Sequence, residues 1–198
     1  MTLGLTFAGY IGGFVLGTVL AVFRVSPVAP LRVFGATYVE LFRNIPLLSL
    51  MVLFIFGLPD VGLTTSLFWS AAACLALTSA AYICEAVRGG INAVSLGQAE
   101  AARAIGLTFT QSLRHIVLPQ AGRTMVQPLV NVFIAVLLGT ALAAAVGVSE
   151  LTNRAQQLNL QYAEAVLCFA FAGAVYLVLA LASAGLGNWL ERRLEIAR

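Results

Sequence analysis

The residues that most often perform chemistry in proteins are few in this chain, and they do not form a reactive set. The single histidine, His115, has no cluster of ligands around it, and the only aspartate is Asp60. The three cysteines lie within apolar runs and are expected to act as small hydrophobic residues: Cys74, Cys84 and Cys168. The chain contains no lysine, so it has no phosphate-binding loop of the kind that hydrolyses ATP. The sequence therefore predicts no catalytic site and no metal site, and it argues against an intramembrane protease.

The longest polar stretch runs from Tyr82 to Pro119, between two apolar runs. Two capping boxes, in which serine or threonine is followed three residues later by glutamine, predict the starts of two short helices: Ser95 with Gln98, and Thr108 with Gln111. Glycines are expected to end the incoming helix and to separate the two short ones: Gly89, Gly90 and Gly106. Pro119 is expected to end the second short helix. The stretch is thus predicted to form a capped hairpin between two membrane spans.

The same stretch contains a distinctive order of residues. Glu100-Ala101-Ala102 is followed by Gly106 and then by Ile116-Val117-Leu118-Pro119. This order resembles the signature loop of the membrane subunits of bacterial ABC importers. The match continues on both sides through Tyr82, Glu85, Arg88-Gly89-Gly90-Ile91, Gln120-Ala121, Arg123, Pro128-Leu129 and Asn131. In this extended form, over some fifty positions, the chain is similar to the branch that imports polar amino acids.

The resemblance implies an all-α integral membrane fold, that of the type I ABC importer membrane subunit, with five transmembrane helices and a cytoplasmic coupling-helix loop at residues 88–123. Two such subunits, identical or paralogous, would pair, and two cytoplasmic ATPase subunits would dock on their loops. The ATPases would bind ATP–Mg, so this chain is expected to bind no cofactor, and an extracytoplasmic binding protein would deliver the amino acid. The candidate coupling helix runs from Phe109 to Val117. The residues expected to contact the ATPase or shape the loop are Glu100, Ala101, Ala102, Gly106, Phe109, Gln111, Leu113 and Arg114.

The composition independently indicates an integral membrane protein. The 198 residues are 61% hydrophobic and only 10% charged, whereas a soluble domain is about half apolar and about a quarter charged. The formal net charge of +3 comes entirely from arginines that are scattered between apolar runs. Nucleic-acid binding needs basic residues clustered on one face, so it is not expected here.

The apolar runs predict one transmembrane domain, residues 1–198, with five spans. Their expected bounds are residues 2–23, 39–58, 61–84, 124–148 and 165–190. The first run is interpreted as a retained span because its first arginine, Arg24, follows the apolar core, whereas a signal peptide carries its positive charge before it. Gly9, Gly13 and Gly17 recur on one face of this span and favour close packing against another helix.

The arginines predict the orientation in the membrane. With the amino terminus outside, Arg154 is the one arginine of the 11 that falls outside, and the others lie on the cytoplasmic side. We therefore expect a multi-pass protein of the bacterial inner membrane, with the amino terminus outside and the carboxyl terminus in the cytoplasm. The polar hairpin then faces the cytoplasm.

Polar side chains inside the apolar spans are candidates for the substrate path: Thr78, Ser79, Asn131 and Thr140. Each could instead form a hydrogen bond to a neighbouring helix. Many members of the resembled branch have a Lys-Asp or Lys-Asn pair before a Thr-Ser in the fourth span, where this chain has Leu138-Gly139-Thr140-Ala141. Glutamate or glutamine is the expected substrate. An ion-coupled secondary transporter or a channel is the alternative. The position of the acidic residues at the span edges disfavours ion coupling.

Overall fold

A computed structural model describes residues 1–194, apart from the side chains of Leu96, Ala99 and Phe109. Arg198, one of the arginines expected on the cytoplasmic side, lies outside the described residues. The described part is all-α. Its helices, numbered here in chain order, are α1 (Thr2–Val25), α2 (Ala29–Asn44), α3 (Leu47–Asp60), α4 (Leu67–Asn92), α5 (Leu96–Ala104), α6 (residues 109–146), α7 (Leu151–Tyr162) and α8 (Ala165–Leu194).

Four of these helices are long and apolar enough to cross a membrane: α1, α4, α6 and α8. The pair α2 and α3 reaches the same length and hydropathy only when the two are taken together, and it bends by 99° between Asn44 and Leu47. The predicted second span, residues 39–58, is therefore not one straight helix. Pro46 explains the break, because a proline disfavours the helical conformation of the residue before it, and Ile45 is extended with φ −83° and ψ 126°.

The glycine face of α1 packs directly against α4. A Cβ atom added at Gly13 would lie 1.9 Å from Ser79 Oγ, and one added at Gly17 would lie 2.6 Å from the carbonyl oxygen of Ala80. No side chain fits into these gaps, so the two helices approach at backbone distance. This confirms the packing that the spacing of the glycines predicts.

Helix α4 continues beyond its predicted end at residue 84. Gly89 and Gly90 do not terminate it, and it extends to Asn92. Gly90 has a packing role instead, since a Cβ atom there would lie 2.3 Å from Met125 Cγ of α6. The longer helix places Glu85 and Arg88 within a membrane-spanning helix, where the sequence predicts the beginning of a loop.

Helix α6 is continuous from the polar hairpin to the far side of the bundle, so the expectation that Pro119 ends a short helix is wrong. Phe109–Ser112 leads into a π-helical turn, Leu113–Val117, and then into an α-helix, Leu118–Gly139, that closes with the 3₁₀ turn Thr140–Val146. Because proline lacks an N–H group, the wider π turn just before it accommodates the missing hydrogen bond without ending the helix. Leu53–Gly57 forms a second π turn, just before Pro59 in α3.

The polar segment after α6 forms helix α7. Its first turn is fastened by Glu150, which is 2% exposed and accepts hydrogen bonds from the Asn153 N–H (2.7 Å) and the Tyr176 hydroxyl of α8 (2.5 Å). The N–H of Leu151 donates to Thr2 Oγ1 (3.0 Å). These bonds hold α7 against the start of α1 and against Tyr176, in the first half of α8.

Candidate solute path and polar hairpin

A cavity of about 250 Å³ lies between α4 and α6, close to the start of α3. It is called the neutral cavity here, because none of the described residues that line it carries a charge. Three of the four predicted path residues line it: Thr78 and Ser79 of α4, and Asn131 of α6. The remaining wall is formed by Leu47, Leu75, Tyr82, Val132, Ala135 and Val136.

The polar groups of the neutral cavity differ in their partners. Ser79 Oγ lies 3.3 Å from the carbonyl oxygen of Gly9 and 3.2 Å from that of Ala76, so its hydroxyl is bound within the bundle. Thr78 Oγ1 is buried and has no hydrogen-bond partner among the described residues. Asn131 is exposed. The cavity thus offers a mostly apolar wall with one unused hydroxyl and one amide.

Thr140, the fourth predicted path residue, lies elsewhere. It is fully buried, and its hydroxyl donates to the carbonyl of Leu137 (2.6 Å) and contacts the hydroxyl of Tyr176 (3.4 Å). Tyr176 in turn binds Glu150. Thr140 therefore belongs to a hydrogen-bonded junction between α6 and α8, which is the alternative role considered for such residues.

A second cavity of about 490 Å³ continues along the groove between α4 and α6, and it is called the Glu85 cavity here. Its lining includes Glu85, Gly89 and Gly90 of α4 and Thr124 and Pro128 of α6. Tyr82 and Val132 line both cavities. The two cavities therefore meet at these residues and follow the same pair of helices.

Arginines surround the carboxylate of the Glu85 cavity. Arg24 Nη1 lies 2.5 Å from Glu85 Oε1, and Arg88 Nη2 lies 2.6 Å from Glu85 Oε2. The guanidinium of Arg43 lies over the ring of Tyr82, 5.6 Å from its centroid, within the range of a cation–π contact. The sequence assigns no site role to Tyr82 or Glu85, although both lie in the family match and their spacing places them on one helical face. Because the sequence predicts that the span ends at residue 84, it does not place Glu85 on the same helical face as Tyr82.

The polar hairpin, defined as residues 95–117, contains one of its two predicted capping boxes. Thr108 N–H donates to Gln111 Oε1 (2.9 Å), and Gln111 N–H donates to Thr108 Oγ1 (3.3 Å). Ser95 stands at the N-cap of α5 without a side-chain cap, so the first box is not formed. Between the helices, Gly106 has φ +83°, in the left-handed region that favours glycine.

The predicted coupling residues are mostly on the surface of this hairpin. Glu100, Ala101, Gly106, Gln111 and Arg114 are exposed, and Leu113 is half-buried. Ala102 is 1% exposed and is part of the hairpin's own packing. The backbone of Phe109 begins α6, but its side chain lies outside the described residues. The exposed set provides a charged and polar surface at one end of the bundle.

A bundle of apolar helices with a groove of cavities and a capped polar hairpin at one end defines a membrane transport subunit. Residues 13–196 match the family model described as binding-protein-dependent transport system inner membrane component, and the chain belongs to this family. It is 39% identical to the probable glutamine ABC transporter permease protein GlnM of Bacillus subtilis, over 93% of this chain and 85% of that protein. It is 34% identical to the glutamate/aspartate import permease protein GltK of Escherichia coli O157:H7, over 98% of this chain and 90% of that protein. Among solved structures, a chain of an amino acid ABC transporter with histidines matches with a TM-score of 0.92 and 33% sequence identity. The match covers 98% of this chain and 90% of that chain.

These findings confirm the family and the fold class expected from the sequence. The protein is a permease subunit of an amino-acid ABC importer with the all-α fold of type I importers, and it is not an enzyme. The family implies ATPase and permease partners, a substrate-binding protein and no cofactor on this chain. A secondary transporter or channel is not favoured, because the matched family is defined by transport that depends on a binding protein.

Proposed function

We propose that this chain forms half of the path for a polar amino acid, glutamine or glutamate, and that the neutral cavity is part of this path. The observation that carries the proposal is the convergence of Thr78, Ser79 and Asn131 on one cavity between α4 and α6. The buried, unused hydroxyl of Thr78 supports it, because a buried polar group without a partner is costly unless a ligand or water binds it. The relatives GlnM and GltK, named for glutamine and for glutamate/aspartate, support this choice of substrate.

The second part of the proposal is mechanical. Cytoplasmic ATPase subunits dock on the polar hairpin, bind ATP–Mg and move α6, since the hairpin leads without a break into a wall of the neutral cavity. Glu100, Ala101, Gln111 and Arg114 form the docking surface, Phe109 and Leu113 fill a groove of the ATPase, and Ala102 and Gly106 hold the shape. A second permease subunit, identical or paralogous, completes the path. An extracytoplasmic binding protein delivers the amino acid at the opposite end, where the amino terminus lies.

The substitution Thr78→Val tests the path. It removes a hydroxyl that binds no other described residue, so it should leave the midpoint of thermal unfolding unchanged or slightly raised. Loss of one hydrogen bond to the substrate should raise the KM of uptake about two- to tenfold. The measurement is uptake of labelled glutamine and glutamate by the complete importer.

Thr18→Val is the matched control, because Thr18 is half-buried on α1, lines neither cavity, and its hydroxyl donates to the carbonyl of Phe14 (2.7 Å). Its KM should equal that of the unchanged importer. An unchanged KM of Thr78→Val for both amino acids would remove the neutral cavity from the path.

A further inference from the structure

Tyr82 occupies the junction of the two cavities in the groove between α4 and α6. Its side chain lines both of them, together with Val132 from the opposite helix. Tyr82 is 42% exposed, whereas its chain neighbours Ala81 and Ile83 are fully buried. The ring therefore stands in the groove, at the point where a solute would leave the neutral cavity for the Glu85 cavity.

A contact from outside the groove holds this ring. The guanidinium of Arg43 lies 5.6 Å from the centroid of Tyr82 and belongs to the last turn of α2. The chain bends by 99° directly after this turn, and Leu47, at the start of the next helix, lines the neutral cavity. The position of the ring is therefore tied to the segment that also forms one wall of the cavity.

We propose that Tyr82 is the constriction between the two cavities and that Arg43 is its positioning residue. With the ring over the junction, a solute in the neutral cavity is separated from the Glu85 cavity. A shift of α2 relative to α4 moves the guanidinium and releases the ring, which opens the groove. This inference rests on the proposed path through the neutral cavity, and it adds the residue that divides the path.

The test measures access to the neutral cavity from the side of the Glu85 cavity. Asn131→Cys is introduced as the only thiol, after replacement of Cys74, Cys84 and Cys168 by alanine, in the full importer in inside-out vesicles. A membrane-impermeant maleimide is added, and the rate of labelling is measured with Tyr82 present or replaced. Tyr82→Ala should accelerate labelling by about tenfold, the effect of lowering a barrier by about 1.4 kcal/mol. Tyr82→Phe keeps the ring and should label at the rate of the unreplaced chain.

Variants of Arg43 test the positioning role without removing the ring. Arg43→Gln should accelerate labelling about two- to fivefold, because a cation–π contact of this kind contributes about 0.5–1 kcal/mol. Arg43→Lys keeps a cation over the ring and should restore slow labelling. Because the charge of Arg43 also acts on Glu85, both variants are repeated with Tyr82→Ala. With the ring absent, Arg43→Gln and Arg43→Lys should label at the same rate, and a difference there would assign the effect to Glu85 and overturn the positioning role.

The possible outcomes test the constriction at Tyr82 separately from the proposed path through the neutral cavity. Equal labelling rates with Tyr82 and Tyr82→Ala would overturn the constriction while showing that position 131 is reached from this side. An absence of labelling in every variant, with ATP and loaded binding protein present, would overturn both the constriction and the proposed path.

Discussion

Gly106 fixes the shape of the polar hairpin through its backbone conformation. Its φ of +83° lets the Gly106 N–H donate to the carbonyl of Arg103 (3.0 Å) and the Leu107 N–H donate to that of Ala102 (3.1 Å). This pair of hydrogen bonds is the Schellman motif, in which a glycine in the left-handed conformation ends a helix. An added Cβ atom would meet no atom of the described non-neighbouring residues within 4 Å, so the constraint found at this position is the left-handed conformation.

Gly106→Ala should therefore weaken coupling to the ATPase without a clash. A left-handed conformation costs an alanine about 1 kcal/mol or more, which corresponds to about a fivefold fall in ATP hydrolysis stimulated by loaded binding protein. Gly97→Ala is the control, since Gly97 lies in α5, has no positive φ, and an added Cβ atom there would also meet none of the described non-neighbouring residues within 4 Å. Equal stimulation in the two variants would contradict the role of the Gly106 turn in coupling.

The interpretation of Glu85 depends on where helix α4 ends. Its sequence position, one residue past the predicted span, indicates an acid at a membrane edge. In the structure it lies seven residues before the end of α4 and binds Arg24 and Arg88. Since Gly90 packs against Met125 and does not end the helix, the deciding information is a tertiary contact that the sequence of α4 does not contain.

At the scale of elements, the glycine face of α1 sets how closely α1 and α4 pack. Gly13→Ala should destabilise the bundle by about 1–3 kcal/mol, because the new methyl group would overlap Ser79 Oγ and approach the Ala76 carbonyl oxygen. The measurement is the midpoint of thermal unfolding in detergent, which should fall. Gly4→Ala is the control on the same helix, since its Cβ atom would lie 3.6 Å from Phe68, an ordinary van der Waals distance. Equal midpoints for the two variants would show that α1 and α4 pack less closely than described.

Local signals predict some helix boundaries here and miss others for identifiable reasons. The box at Thr108 and the turn at Gly106 follow local hydrogen bonding, and both are formed. Pro46 separates α2 from α3, whereas Pro119 lies inside a continuous helix next to a π turn. The same residue type thus has opposite outcomes, because neighbouring turns decide whether a missing N–H group ends a helix.

At the scale of the whole molecule, the all-α membrane fold and the family follow from the apolar runs and the ordered residues of the hairpin. The positions of the two cavities do not follow from the sequence, because they lie between α4 and α6, and no pattern within either helix records a gap between them. Thr140 illustrates the limit, since its position in an apolar span is like that of Thr78, but it binds Tyr176 and not the cavity.

The predicted orientation can be tested with single cysteines at opposite ends of the bundle, in a chain without its natural cysteines. Gln111→Cys lies on the exposed surface of the hairpin and should react with an impermeant maleimide only in inside-out vesicles. Leu160→Cys on α7, where the leucine is 79% exposed, should react only in intact cells or spheroplasts. The reverse pattern would invert the topology and place the hairpin away from the ATP supply.

The ion pair between α1 and α4 has a consequence for biogenesis. A lone carboxylate is costly in the hydrocarbon core of a membrane. The ribosome makes α1 before α4, so Arg24, in the last turn of α1, is already present when Glu85 is made, and Arg88 follows three residues later. The order of synthesis thus supplies a counterion for the acid as soon as α4 packs against α1.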